Sequence, residues 1–195
     1  FTKHDRRVLD MKHLSGKDRR ELAHFAVDVI NSARSAMNSK DWTYTSNAER
    51  FAMDTAKYYT QDGAGDSDAD HDVHAILKAA RKNGLRTDKG QIYEDESGFI
   101  TTPNARYQTM WHAKLMERFG IEQMLFGGWT SRNLKKKVYY HDLTDPSRYI
   151  EWDHAYDLID TDASEVGVAF SVRGKDEVSV HILTVEPDEI VNSDL

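Results

Sequence analysis

The chain has 195 residues, a net charge of −7 and no cysteine. Its hydrophobic fraction of 39% is enough for the core of one domain, which excludes wholesale disorder. The negative charge argues against a nucleic-acid partner, and the lack of cysteine excludes disulfides, cysteine zinc sites and thiol nucleophiles, with weak support for an exported protein.

Both ends of the chain are predicted to lie outside the folded domain. Residues 1–16 are charged and lack apolar periodicity, so they are predicted to be a lead-in segment from a longer protein whose targeting segment has been removed. The domain is predicted over residues 17–187 and a C-terminal tail over residues 188–195. No apolar run approaches the roughly 20 residues that a membrane span needs.

Four helices are predicted in the first two thirds of the chain, where apolar residues recur at steps of three and four. They span residues 17–37, 46–60, 72–83 and 103–126. Ser46 is expected to cap the second helix, and Thr102 with Pro103 to begin the fourth. The fourth helix carries large apolar residues at four-residue steps, namely Tyr107, Trp111, Leu115 and Phe119.

The last third of the chain changes to patterns typical of strands. Two valine-rich segments, Glu165–Val172 and Glu177–Val185, flank the turn Arg173–Asp176 and predict a β-hairpin. Lys137–His141 is a further candidate strand. Helices followed by an antiparallel hairpin indicate an α+β domain rather than alternating βαβ units.

An acidic loop follows the second predicted helix. Its carboxylates alternate at Asp66, Asp68 and Asp70, as in a calcium loop. An EF-hand also needs Gly at the sixth position and Glu at the twelfth, where this chain has His71 and Leu77. The loop is therefore predicted to be solvated, with a weak cation site as the alternative.

Five short motifs occur in a fixed order over roughly residues 20–185. They are Val29–Arg34 (VINSAR), His71–Val73 (HDV), Tyr93–Asp95 (YED), Met124–Phe126 (MLF) and His154–Ile159 (HAYDLI). In this order they resemble the motifs of the CAP superfamily (cysteine-rich secretory, antigen 5 and pathogenesis-related proteins). The resemblance is strongest to the PgrA-type surface exclusion proteins of Gram-positive bacteria. Asp95 departs from the pattern, because the family has Asn at that place.

The resemblance implies a three-layer α-β-α sandwich with a small antiparallel sheet and a cleft where two histidines and two glutamates meet. Carried onto this chain, these residues are His71, His154 and Glu94, with Glu117 or Glu122 as the second glutamate. Such a group can bind a divalent cation, zinc or calcium, or polarise a water for hydrolysis. Alternatively, the group only forms hydrogen bonds that brace the fold.

Two functions follow from this resemblance. The first is a binding head at the cell surface or in the cell wall, whose partner is a cell-envelope component: a surface protein, peptide, glycan or lipid. The second is a cation-assisted peptidase that acts on another surface protein, with His71, Glu94 and His154 as its catalytic residues. No nucleophile motif is visible in the sequence, which favours the binding head.

The segment between Met124 and His154 is predicted to be an insertion at the mouth of the cleft. Its aromatic side chains either supply binding anchors or pack beneath a long loop. They are Trp129, Tyr139, Tyr140, Tyr149 and Trp152.

Overall fold

The structure, a computed structural model, describes residues 2–68, 70–100, 104–126, 152–160 and 165–191. The helices in these ranges are α1 (Gly16–Ala36), α2 (Ser46–Asp62), α3 (Val73–Lys82), α4 (Met110–Phe126) and α5 (Trp152–Asp160). The strands are β1 (Val8–Asp10), β2 (Thr43–Tyr44), β3 (Glu94–Ile100), β4 (Tyr107–Thr109), β5 (Glu165–Arg173) and β6 (Glu177–Val185). The predicted α+β class is confirmed.

No helix within the described ranges is long and apolar enough to cross a membrane.

The central sheet has the strand order β2-β5-β6-β3, so β3 is an edge strand. β6 is antiparallel to both β5 and β3, and in its register Glu96 lies opposite His181, which lies opposite Ala169. Directly opposed residues of antiparallel strands point to the same face of the sheet. Glu94 and Glu96 therefore share a face with His181, while Asp95 points to the other face.

A separate hydrophobic core covers each face of this sheet. Val168 and Ile182 contribute to the core that the sheet shares with α1, α4 and α5. Ala169 and Leu183 contribute to the core shared with α2 and α3. The predicted three-layer α-β-α arrangement is thus confirmed, with two different sets of helices against the two faces of the sheet.

The segments predicted to flank the domain are attached to it. Within residues 1–16, β1 pairs with β4, and Leu9 is buried in the core. Within residues 188–195, the backbone N–H of Val191 donates to the carbonyl of Gly84 at 2.8 Å. The described parts of both segments therefore contribute contacts to the fold.

Two helix starts differ from prediction. α2 is capped by Thr45 rather than Ser46, because the Thr45 hydroxyl accepts a hydrogen bond from a first-turn N–H at 3.2 Å. α4 begins at Met110, since β4 occupies the preceding residues in order to pair with β1. The predicted start at residues 102–103 lies outside the described residues.

The large apolar residues that recur at four-residue steps in this part of the chain do not form the buried face of α4. They are exposed, namely Tyr107, which precedes the helix, and Trp111, Leu115 and Phe119. The buried face of the helix carries Met110, Ala113, Glu117, Ile121 and Met124. Close packing requires a small residue at Gly120 on this face, where an added Cβ would lie 2.6 Å from the Ser97 hydroxyl.

Candidate His–carboxylate site at the sheet edge

Glu94, the first residue of β3, is the centre of a buried polar cluster. Its Oε2 accepts hydrogen bonds from the Tyr59 hydroxyl at 2.6 Å and from Nδ1 of His71 at 2.9 Å. Its Oε1 accepts from Nδ1 of His181 at 2.7 Å. The Glu94 side chain is fully buried, so these three bonds take the place of its hydration.

Asp95, the next residue, points to the opposite face of the sheet and holds a second histidine. Its Oδ1 lies 2.8 Å from Nδ1 of His154, which is on α5. The rings of His71 and His154 nevertheless approach to 6.1 Å between centroids. They meet at the edge of the sheet, where β3 is the last strand. We call His71, Glu94, Asp95 and His154 the His–carboxylate site.

Local structure fixes His71 just before α3. Its neighbour Asp72 caps this helix, with Oδ1 accepting from the Ala75 N–H at 3.0 Å. The Asp72 backbone N–H donates to the Tyr59 hydroxyl at 2.8 Å. Tyr59 therefore links the loop that carries His71 to the carboxylate of Glu94.

Glu94 and the two histidines bonded to it favour one another's charged forms. Burial alone would raise the pKa of Glu94, but the hydrogen bonds from His181 and His71 outweigh it and lower that pKa. Burial likewise opposes charge on His71 and His181, but their bonds to Glu94 raise both imidazole pKa values. The pKa of Asp95 is raised by burial, against the opposing effect of His154.

Glu96 adds a third carboxylate on the face that carries Glu94. Burial, together with the nearby carboxylates of Glu94 and Asp66, raises the pKa of Glu96 to about 7. Its Oε1 is buried and has no hydrogen-bond partner. Ligand atoms of His71, Glu94 and Glu96 lie within 4.8 Å of one another, which is close enough for one metal ion.

The structure brings together three of the residues selected from the sequence, namely His71, Glu94 and His154. Glu117 belongs to neither of the possible metal-ligand groups among the described residues, and neither of its buried carboxylate oxygens has a hydrogen-bond partner. Glu122 instead pairs with Arg118 on the exposed side of α4, at 2.7 Å. The carboxylate that contacts His154 is that of Asp95 rather than that of either candidate glutamate.

Three residues of the cluster, His181, Glu96 and Tyr59, were not selected from the sequence. His181 is a histidine in a valine-rich strand, and a fully buried polar residue in such a strand needs a partner. Only the register of β3 with β6 identifies that partner, because it places Glu96 directly opposite His181 and Glu94 two residues away. The alternation of Glu94 and Glu96 in the sequence is a weak signal for a shared face.

The acidic loop packs against the sheet and is not simply solvated. The backbone N–H of Asp66 donates to the Ser179 hydroxyl at 2.9 Å, and Asp68 pairs with Arg173 at 2.7 Å. A further possible metal-ligand group nearby consists of Asp62, Asp72 and His74. The predicted strand Lys137–His141 and the aromatic residues at positions 129, 139, 140 and 149 lie outside the described residues.

No protein-family model and no curated protein matches this sequence. Among solved structures, the chain is similar to the CAP domain of Enterococcal PrgA, with a TM-score of 0.75 and 20% sequence identity over 99% of this chain and 72% of that one. A second match, an extracellular protein containing an SCP domain from Bacillus anthracis str. Ames, has a TM-score of only 0.41 and 12% identity, over 88% of this chain and 44% of that one. The first similarity extends over nearly the whole chain and agrees with the layers and the sheet described above. The chain therefore has the fold of a CAP domain.

Proposed function

We propose that this domain acts outside the cell as a binding head whose His–carboxylate site holds a divalent cation. The observation that carries the proposal is that His71 and His154 are each held through Nδ1 by a buried carboxylate, with their rings 6.1 Å apart. The resemblance to surface exclusion proteins supports a location at the cell surface or in the cell wall. The partner class that fits this location is a cell-envelope component: a surface protein, peptide, glycan or lipid.

The hydrogen bonds of the two histidines determine which nitrogen suits a cation. In a neutral imidazole whose Nδ1–H donates to a carboxylate, the lone pair is on Nε2. Histidines that ligate metals commonly have this arrangement, in which the outer carboxylate fixes the tautomer and raises the basicity of the ring. Glu94 and Asp95 would then orient His71 and His154, with Glu96 as a further carboxylate beside His71. Imidazole nitrogens favour zinc over calcium, which prefers oxygen ligands.

Zinc chloride is expected to stabilise the wild-type domain against thermal unfolding. A ligand that binds only the folded state adds about 2.7 kcal/mol at a hundredfold excess over its Kd. His71→Ala and His154→Ala should each abolish this stabilisation, because each removes one of the two imidazoles. The effect should also weaken as the pH falls, because protons compete with the cation for imidazole nitrogen, and the raised pKa of His71 places the onset of this loss above 6.5.

His4→Ala is the matched control for this experiment. His4 also bonds a carboxylate, that of Glu21 at 2.8 Å, but it is a surface residue with a side chain 45% exposed. This variant should keep the full response to zinc. Melting curves of the wild type that are identical in zinc and in chelator at neutral pH would refute the cation site.

A cation-assisted peptidase is the second candidate function. Glu96 favours it, because a carboxyl group with a pKa of about 7 beside His71 can exchange a proton with water near neutral pH. Incubation with a purified cell-wall protein from a Gram-positive bacterium separates the two functions. We expect the protein to be captured intact. Specific fragments that form with the wild-type domain, and not with His154→Ala, would mean that the domain is a peptidase and not a binding head.

A further inference from the structure

Glu94 also belongs to a second arrangement, which crosses three neighbouring strands. Oγ of Ser171 on β5 lies 2.8 Å from Nε2 of His181 on β6. Nδ1 of the same histidine lies 2.7 Å from Oε1 of Glu94 on β3. A serine, a histidine and a carboxylate are thus connected in a single line of hydrogen bonds, which we call the Ser–His–Glu line.

This line has the connectivity of a catalytic triad, which is recognised by geometry and roles rather than by position in the sequence. Glu94 binds Nδ1 of His181, so the neutral ring presents Nε2 to the Ser171 hydroxyl as a proton acceptor. The His181 ring is held in place by the ring of Tyr59, whose centroid lies 4.4 Å away. The orientation of the base is therefore fixed by contacts on two sides.

Ser171 forms part of the wall of a cavity of about 420 Å³, which is within the usual size of small-molecule sites. This cavity follows β5, with α2 and the segment Met11–Leu14 among its walls. Its lining includes the apolar side chains of Met53 and Phe170 and the basic side chains of Lys12 and Lys57. Such a lining suits a short apolar group that carries a negative charge.

We propose that Ser171, His181 and Glu94 form a nucleophilic acyl-transfer site that accepts small anionic acyl esters from this cavity. In the first step Oγ of Ser171 bonds to the ester carbonyl carbon while its proton passes to Nε2 of His181. The ester C–O bond then breaks, and the departing alkoxide takes that proton as an alcohol. Water attacks the acyl-serine with the same histidine as base, which releases the carboxylic acid and restores the hydroxyl.

A fluorophosphonate probe tests this site, because it phosphonylates activated serines with loss of fluoride. Mass spectrometry of the intact domain should show one adduct, located on Ser171, and no adduct in Ser171→Ala. His181→Gln should lower the labelling rate by roughly 10²–10⁴, the usual contribution of a positioned base. The adduct should form equally in excess chelator, so that its presence does not depend on the proposed cation.

Ser179→Ala is the matched control, since Ser179 is the register partner of Ser171 on β6 and is equally shielded from solvent. This variant should be labelled like the wild type. The proposal is overturned if the wild type forms no adduct on Ser171, or if Ser171→Ala retains the adduct.

The absence of native cysteine allows a second test, which does not depend on whether His181→Gln folds. A thiol beside a histidine forms thiolate more readily than an ordinary thiol. Ser171→Cys should therefore react with iodoacetamide at least about tenfold faster than Ser179→Cys. Equal rates for the two variants would contradict an activating histidine at Ser171.

Discussion

Replacing Glu94 with Gln is expected to lower the free energy of unfolding by about 3–5 kcal/mol, the typical cost of removing one partner from a buried ion pair. The Glu94 carboxylate accepts hydrogen bonds from three groups, Tyr59, His71 and His181. An amide of the same shape has one acceptor oxygen, and its NH₂ group would face donors. The variant therefore keeps the packing but leaves buried donors unsatisfied.

The pH dependence of this loss has a definite sign. The pKa of Glu94 is lower in the folded state, so its contribution is present above the ordinary value of 4.5 and is lost as the pH falls through the folded value. The pKa values of His71 and His181 are raised, so their contribution is present below 6.5 and is lost as the pH rises through their folded values. Urea denaturation should thus show the widest gap between wild type and Glu94→Gln from about pH 4.5 to 6.5.

Glu21→Gln is the control for this comparison. Glu21 also accepts hydrogen bonds from a histidine, His4, and from Lys114, both at 2.8 Å, but its side chain is 24% exposed. A pair in contact with solvent contributes about 1 kcal/mol or less. If Glu94→Gln costs no more than Glu21→Gln, the buried cluster does not hold the edge of the sheet together.

The elements that were predicted correctly are those whose signal is local. The first three helices and the hairpin β5–β6 follow from apolar periodicity and a turn, which involve only neighbouring residues. β3 was missed because its residues Glu94–Gly98 have low strand propensity, and the strand forms by pairing with β6. The buried face of α4 does not follow from hydrophobicity alone, which ranks Trp111 above Ala113, whereas close packing buries the small residue.

The residues of the site also divide into those that local sequence identifies and those that depend on strand pairing. The order of the motifs was sufficient to select His71, Glu94 and His154, since each lies in a recognisable segment. The parts that depend on register were not accessible, because Ser171 and His181 become neighbours only when β5 pairs with β6. A nucleophile assembled across strands has no sequence motif, so the absence of such a motif was weak evidence against a serine-based reaction.

Glu117 is in an unusual environment for a carboxyl group. It is fully buried on the core-facing side of α4, beside Ala113 and Ile121, and neither of its oxygens has a hydrogen-bond partner. Burial raises the pKa of Glu117 well above 4.5 and outweighs the opposing charge of Lys114. The folded domain therefore favours the protonated acid at this position, while the unfolded chain ionises normally.

This difference predicts that Glu117→Met stabilises the domain, and more so as the pH rises. A group whose folded pKa is raised contributes no penalty below its unfolded value of 4.5, and the penalty then grows until the pH reaches the folded value. Across that interval the wild type should lose about 1.4 kcal/mol of stability per pH unit relative to the variant. Methionine fills a similar volume without a polar atom that needs a partner.

Urea denaturation of both chains from pH 4 to pH 8 measures this prediction directly. Glu122→Gln, five residues further along α4, is the control, because Glu122 is a surface residue that pairs with Arg118. Its effect should stay within about 0.5 kcal/mol across the range. The advantage of Glu117→Met should instead be smallest near pH 4.5 and widen toward pH 8. Parallel profiles for the wild type and Glu117→Met would mean that the Glu117 carboxylate is ionised and stabilised within the core, contrary to its raised pKa.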